Sequence, residues 1–217
     1  MILFIKGVAI TLGLFVAVYA PAFLVTALFR PRIEVAIALV ILISAGIAFA
    51  CILLFSKPSS GVAQFGFILP PSRYVWLALE LGLPLGILTG WLAQLFPSLP
   101  PYDVSRFTGS MIISYFVIGA SIQEEIIFRG LLQTMFERAL NRSLIVTKLS
   151  VGYSVIVVAL LFGLIHVPEG LVIAFCALVL AVIAGELRKR SASIVPAIIV
   201  HMLFNAGSAV FALPLHH

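Results

Sequence analysis

Long apolar stretches separated by short polar turns dominate the chain. A helix needs about 20 mostly apolar residues to cross the hydrocarbon core of a bilayer, so each stretch that approaches this length predicts a membrane span. An eighth span would follow if the first stretch or residues 56–73 contained a re-entrant segment. The pattern therefore predicts an all-α, polytopic transmembrane helix bundle with seven spans, or eight. The seven stretches are Gly7–Phe29, Val35–Phe55, Tyr74–Phe96, Phe107–Gln123, Leu149–Pro168, Gly170–Gly185 and Ser191–His217.

The segments between these stretches are short, and several contain proline, such as Pro70-Pro71 and Pro100-Pro101. None of them is long enough for a second domain, so we expect one membrane domain over residues 1–217. The first stretch has features of a secretory signal, but its apolar core is too long, and Pro21 directly follows the candidate cleavage site. We therefore interpret it as a retained span.

The composition supports a membrane protein. Hydrophobic residues make up 63% of the chain and charged residues 10%, with a mean hydropathy of +1.25, whereas soluble domains contain about 25% charged residues. These values exclude a cytosolic globule, a disordered chain and a secreted disulfide scaffold. The two cysteines, Cys51 and Cys176, lie in apolar stretches and are expected to be unpaired.

The net charge of +5 is interpreted as membrane anchoring rather than nucleic-acid binding, because the chain resembles no nucleic-acid module. Lys and Arg accumulate in cytoplasmic loops of membrane proteins, and alternate loops here carry unequal numbers of them. This asymmetry predicts a cytoplasmic N-terminus. One side holds Lys6, Lys57, Arg73, Arg138, Arg142, Lys148, Arg188, Lys189 and Arg190, and the other holds Arg30, Arg32 and Arg106.

Polar side chains inside predicted spans are costly in lipid and usually mark function. Glu125 and Arg129 are four residues apart, so they can pair on one face of a helix. Glu124 points about 100° away from Glu125 and has no partner in its own helix. Such a carboxylate suits general-base chemistry, although the same residues could simply hold helices together. The polar residues are Glu80, Gln123, Glu124, Glu125, Arg129, His166, His201 and Asn205.

Two further motifs add imidazole and amide groups. Phe162 and His166 share one helical face, as do His201 and Asn205. Each set alone could be an interhelical hydrogen bond. Together with Glu124, the three sets could activate water: Glu124 and His166 would accept a proton, and His201 and Asn205 would bind a metal or donate to an oxyanion. We therefore expect the three sets to converge and to catalyse peptide hydrolysis.

The sequence lacks the motifs of other protease types. The chain has no His-Glu-x-x-His helix and no Gly-x-Ser-x-Gly motif. Its single aspartate, Asp103, lies in a predicted loop, which excludes an intramembrane aspartyl dyad.

The three motifs, Glu124-Glu125-x-x-x-Arg129, Phe162-x-x-x-His166 and His201-x-x-x-Asn205, resemble in type and order those of the CPBP family. This family comprises type II CAAX prenyl endopeptidases and bacteriocin-processing (Abi) intramembrane proteases. The resemblance covers a catalytic core of about residues 110–207. Where the family often has Ala-Pro before the paired glutamates, this chain has Gly119-Ala120-Ser121.

The resemblance implies an intramembrane endopeptidase acting on a peptide or a membrane-anchored protein in the lipid bilayer. Glu124 and His166 would activate water, His201 and Asn205 would stabilise the oxyanion, and Glu125 and Arg129 would provide structural support. A short apolar chain of this kind resembles prokaryotic members, which implies an integral protein of a prokaryotic plasma membrane.

The need for a cofactor stays open at this stage. Family members have also been classed as metalloproteases, in which case Glu124, His166 and His201 would bind Zn²⁺. An interpretation without metal uses the same residues and is slightly favoured. Two other functions also stay open: a non-proteolytic membrane scaffold or immunity protein, and a small proton-coupled transporter that uses Glu80, Glu124 and Glu125.

Overall fold

The computed structural model describes residues 2–29, 32–96, 107–140, 143–146 and 149–212. Within these ranges the chain forms seven main helices and one small β-hairpin. The helices are α1 (Ile2–Leu28), α2 (Ile33–Phe55), α3 (Ser72–Leu95), α4 (Gly109–Leu140), α5 (Tyr153–Ile165), α6 (Leu171–Ser191) and α7 (Val195–Ala212). The strands are β1 (Ser143–Val146) and β2 (Leu149–Gly152), and short 3₁₀ turns occupy Val62–Phe65 and Val167–Glu169.

Helices α1, α2, α3, α4 and α6 are long and apolar enough to cross a membrane, whereas α5 and the apolar part of α7 are shorter. The chain is therefore a helical integral membrane protein, as its apolar pattern predicts. The number of spans, seven or eight, stays a prediction, because the two shorter helices fall below the length that crosses a bilayer without help from neighbouring elements.

Helix α4 extends well beyond the predicted span that ended at Gln123, because it continues to Leu140. The charged residues that were expected to end the span are turned into the protein, and Glu125 and Arg129 are fully buried there. Hydropathy predicts which part of a helix can face lipid. It does not predict the end of the helix when charged side chains are paired inside the protein, because the helix can then continue past them. Two π-helical stretches, Ile112–Ala120 and Ile126–Leu132, flank the α-helical turn that carries the glutamates.

The predicted span from Leu149 to Pro168 is wrong at both ends. Residues Leu149–Gly152 form β2, which pairs antiparallel with β1 in the register Ser143↔Gly152 to Val146↔Leu149. Helix α5 starts only at Tyr153 and ends at Ile165. An apolar run is compatible with both strand and helix, and here the neighbouring strand provides the backbone partners of its first residues.

Helices α3 and α7 pack closely because α3 carries glycines at every fourth position. A Cβ added to Gly82 would lie 2.8 Å from the carbonyl oxygen of Val200, and one added to Gly86 would clash with that of Phe204. From the other side, a Cβ on Gly207 would lie 2.8 Å from the carbonyl oxygen of Leu83. Small residues let two membrane helices approach closely, and this approach fixes the position of α7.

The core of the molecule lies where α4 meets α1, α2, α5 and α6. Large apolar side chains with almost no exposed surface fill it, and Phe128 and Phe162 form an edge-to-face pair with ring centroids 4.9 Å apart. The guanidinium of Arg129 on α4 lies close to both rings. The largest buried apolar side chains are Ile52, Phe65, Ile127, Phe128, Leu131, Leu132, Phe136 and Phe162.

Candidate active site

The pair that the sequence predicts within α4 is present. Arg129 Nη1 donates to Glu125 Oε1 at 2.9 Å, and both side chains are completely buried. The guanidinium also lies over the ring of Phe162, 4.8 Å from its centroid. The free-energy cost of burying an unpaired charge would be prohibitive. The pair with Glu125 therefore explains why an arginine of α4 can lie in the core.

The structure adds a contact that the sequence did not predict. His201 Nδ1, on α7, lies 2.8 Å from the same Glu125 Oε1, although the two residues are 76 positions apart. An imidazole that donates Nδ1–H to a carboxylate is fixed in orientation, with its other nitrogen directed away. Glu125 is thus a partner of both Arg129 and His201, rather than of Arg129 alone.

The second nitrogen of His201 faces the other glutamate. Its Nε2 lies 3.7 Å from Glu124 Oε2. The side chain of Glu124 is 18% exposed, whereas that of Glu125 is 0% exposed. The two adjacent carboxylates therefore occupy different environments, as helical geometry predicts, and Glu124 is the one that a reactant could reach.

His166 lies at the carboxyl end of α5. Its Nδ1 is 2.7 Å from the carbonyl oxygen of Phe162, and the two rings stack at an angle with centroids 4.6 Å apart. Since a carbonyl only accepts, Nδ1 carries the proton, and Nε2 of the neutral ring keeps its lone pair. Nδ1 is thereby engaged by the backbone, so Nε2 is the ring nitrogen of His166 that could act on a reactant.

Phe162 brings the three motifs together. Its ring packs against His166 on one side and meets the ring of His201 edge-on, with centroids 5.7 Å apart. It also lies under Arg129. The three motifs therefore meet around Phe162, and the ion-pair contact of Glu124 is with His201.

Asn205 forms two hydrogen bonds to α4. Its amide nitrogen donates to the carbonyl oxygen of Phe116 at 2.9 Å and to Ser121 Oγ at 3.1 Å. Both amide hydrogens are thereby engaged, and they tie α7 to α4. In this arrangement Asn205 holds two helices together, and it would have to release one bond before it could donate to an oxyanion.

Glu169 is a site residue that the sequence reasoning missed. It lies in the 3₁₀ turn after α5, and its carboxyl interacts electrostatically with His166 and Glu124. Burial raises the pKa of this carboxyl, with His166 opposing the shift and Glu124 adding to it. The spacing of three residues from His166 was the available signal, because that distance brings two side chains to one side of a turn.

The zinc hypothesis requires three ligands around one point. In the ranges that the structure describes, no three His, Cys, Asp or Glu side chains are close enough to hold a metal ion. The residues therefore do not form a Glu124–His166–His201 zinc site in this arrangement, and we derive no step through a metal.

Two other predicted features lie outside the site. Glu80 is exposed on α3 and is not among the charged groups around Glu124. Cys51 and Cys176 are unpaired thiols, as expected.

Residues 106–207 match the family model described as type II CAAX prenyl endopeptidase, Rce1-like. The matched segment contains all three motifs and begins just before α4. No curated protein and no solved structure shows a significant match to the chain. The segment 106–207 thus matches an Rce1-like type II CAAX prenyl endopeptidase domain, consistent with the CPBP family that the motifs resemble.

Proposed function

We propose that the protein is an intramembrane endopeptidase that hydrolyses a peptide bond with a water molecule activated by Glu124 and His166. The observation that carries the proposal is the contrast between the two glutamates. Glu125 is buried and bound by Arg129 and His201, whereas Glu124 is partly exposed and has His201 Nε2 beside it. One carboxylate is thus available for chemistry, and the other orients its neighbour.

In the first step, Glu124 accepts a proton from water while the oxygen attacks the substrate carbonyl carbon. His166 supports the same step, since its Nε2 has a free lone pair that can accept a hydrogen bond from the water. The proton on Glu124 then passes to the leaving amine when the C–N bond breaks. The two new ends of the peptide carry the elements of one water molecule.

His201 stabilises the negative oxygen that forms on the attacked carbonyl. In its protonated form it donates Nδ1–H to Glu125 and directs Nε2–H toward the space beside Glu124. The charge of Glu125 supports the imidazolium, in the way that a buried carboxylate supports a catalytic histidine. A preorganised donor of this kind typically contributes a factor of about 10²–10³ in rate.

The substrate class follows from the family and from the location of the site. The reactive side chains lie on helices of a membrane protein, so we propose a peptide or membrane-anchored protein that enters from the lipid bilayer. A peptide ending in a prenylated Cys-aliphatic-aliphatic-X sequence is the first substrate to test, because the matched family is named for it.

The test uses full-length protein in detergent or in liposomes, with fluorescence-quenched peptides that include a prenylated CAAX peptide and unprenylated membrane-segment peptides. Mass spectrometry of products formed in H₂¹⁸O identifies the cleaved bond, and we expect one ¹⁸O atom in the new carboxyl group. Glu124→Gln and His166→Ala should each lower kcat by at least about 10²-fold.

Glu80→Gln is the matched control, since it removes an exposed carboxylate outside the site and should cleave at the wild-type rate. Equal cleavage by wild type and Glu124→Gln would contradict the mechanism. Failure of the folded wild-type protein to cleave any of these peptides would favour the non-proteolytic scaffold or immunity protein over the enzyme.

A further inference from the structure

The turn between α6 and α7 is hydrogen-bonded to the α2–α3 loop, residues 56–71. Ser193 Oγ donates to the carbonyl oxygen of Ile68 at 2.5 Å, and the backbone N–H of Ile194 donates to the carbonyl oxygen of Gly66 at 2.9 Å. The side chain of Ser193 is completely buried. The turn that leads into α7 is therefore attached to the α2–α3 loop at two points.

The α2–α3 loop is itself attached to α4, the helix that carries both glutamates. The ring of Phe65 is completely buried in the apolar core, and the guanidinium of Arg138 on α4 lies 4.8 Å from its centroid. Arg138 Nη2 also donates to Gln64 Oε1 at 2.5 Å. From α6, Arg188 Nη2 donates to the carbonyl oxygen of Gln64 at 3.2 Å and to Thr134 Oγ1 of α4 at 3.4 Å. The loop thus has a defined position relative to α4.

Gly66 allows the loop to approach the turn this closely. Its φ of +91° lies in the left-handed region that favours glycine. A Cβ at this position would clash with the guanidinium of Arg188 and would lie 2.9 Å from Cγ2 of Ile194. A glycine here therefore permits the hydrogen bond between the Ile194 N–H and the loop.

The hydroxyl of Ser193 also acts on α7 directly. Its Oγ accepts from the backbone N–H of Val195, the first residue of α7, at 3.2 Å. The first N–H groups of a helix have no partner within the helix, so this bond caps the start of α7. One hydroxyl therefore joins α7 to the α2–α3 loop.

These hydrogen bonds restrict α7 in a way that its packing against α3 does not. The glycine-lined contact between the two helices consists of van der Waals packing, which has little directional preference, whereas a hydrogen bond weakens steeply when its geometry changes. Ser193 supplies such a bond at the start of α7, and Asn205 supplies two more to α4. His201 lies between these two points of attachment.

We propose that Ser193 is a positioning residue: its hydroxyl, bonded to the α2–α3 loop, sets the position of α7 and thereby holds His201 against Glu125. This inference rests on the proposed function, in which His201 stabilises the oxyanion. A displacement of about 1 Å at a catalytic group can lower the rate by about 10²-fold. The loop precedes residues 106–207, the segment that matches the family model, so the geometry of that segment depends on an earlier part of the chain.

The first measurement is steady-state cleavage by Ser193→Ala, which removes only the hydroxyl oxygen. We expect kcat to fall by about tenfold or more, with KM at the wild-type value because Ser193 does not contact substrate. Ser208→Ala is the matched control, since Ser208 also lies on α7 but its hydroxyl donates within the helix, to the carbonyl oxygen of Asn205 at 3.1 Å. It should leave kcat unchanged. Both variants are assayed below their melting temperatures.

A second measurement does not depend on activity. The four histidines are labelled with ¹⁵N, and the ring resonances of His201 are assigned by their loss in His201→Gln. The Nδ1 resonance reports the hydrogen bond to Glu125. Ser193→Ala should shift this resonance, whereas Ser193→Thr, which keeps a hydroxyl, and Ser208→Ala should leave it at the wild-type position.

The outcomes separate the inference from the function on which it rests. Wild-type kcat in Ser193→Ala, or a lower kcat with an unchanged His201 Nδ1 resonance, would overturn the positioning role and leave the proposed peptidase intact. If the wild-type protein cleaves no peptide, the proposed function fails. The ¹⁵N shift alone then decides whether Ser193 positions His201.

Discussion

His201 Nδ1 lies 2.8 Å from Glu125 Oε1, and this contact links α7 to α4 across 76 residues of sequence. The same oxygen accepts from Arg129 Nη1 at 2.9 Å. Glu125 therefore has two tasks: it neutralises a buried arginine and it orients a histidine of the candidate site. The neighbouring Glu124 has neither task, and its side chain is the more exposed of the two.

The first prediction separates these adjacent glutamates. Glu125→Gln leaves Arg129 buried without a counter-charge, and breaking a buried pair in this way typically costs about 3–5 kcal/mol. We expect Glu125→Gln to lower the melting temperature as well as cleavage, whereas Glu124→Gln should stay folded and lose cleavage. Thermal unfolding and peptide cleavage are measured side by side. An unfolded Glu124→Gln next to a stable, inactive Glu125→Gln would reverse the assignment.

A second prediction concerns Asn205, whose amide ties α7 to α4 through Phe116 and Ser121. Asn205→Ala removes both hydrogen bonds between the helices, at a cost of about 1–3 kcal/mol. We expect a lower melting temperature, and a smaller decrease for Ser121→Ala, which removes only one of the two acceptors. If Asn205→Ala instead abolishes cleavage at an unchanged melting temperature, Asn205 acts on the oxyanion, as the family resemblance implied.

The third prediction tests the close contact between α3 and α7. Gly86→Ala introduces a Cβ that collides with the carbonyl oxygen of Phe204, and overpacking of this kind typically costs about 1–3 kcal/mol. We expect lower thermal stability and weaker cleavage, because α7 also carries His201. Gly46→Ala is the control, since a Cβ there meets nothing within 4 Å, and it should be neutral or slightly stabilising. Equal melting temperatures for the two variants would contradict the packing argument.

A fourth prediction follows from the raised pKa of Glu169. Below its ordinary pKa of 4.5, the carboxyl is protonated in both the folded and the unfolded chain, so it adds no pH dependence to stability. Above that value the unfolded chain ionises freely while burial resists ionisation in the folded one. Stability should therefore fall as pH rises from the ordinary pKa through the raised one.

The measurement is the melting temperature of wild type minus that of Glu169→Gln, at about pH 4 and at about pH 7. We expect this difference to become more negative at the higher pH, because the glutamine variant has no carboxyl to ionise. A difference that is constant with pH, or one that increases, would show that Glu169 is not the group responsible.

The local features of the site were predictable from the sequence. The Glu125–Arg129 pair follows from their spacing of four residues, since such side chains meet on any α-helix. The different environments of Glu124 and Glu125 follow from the same geometry. The glycines of α3 also repeat at every fourth position, and this pattern in the sequence marks a close helix contact.

The partners of His201 and Asn205 were not predictable in this way. Each lies on a different helix from the groups that it faces, and the separation along the chain is 76 residues for His201 and Glu125 and 89 for Asn205 and Phe116. Such contacts depend on how closely α3 lets α7 approach.

The sequence by itself determined that this protein is built of membrane helices, and it identified most of the residues with chemical potential, because both follow from composition and from the period of a helix. Only the tertiary structure decided that residues Leu149–Gly152 form a strand, that Glu125 and not Glu124 binds His201 Nδ1, and that Asn205 faces α4. The physical reason is that helical periodicity fixes the directions of side chains within one helix. The packing of several helices decides which side chains of different helices come into contact.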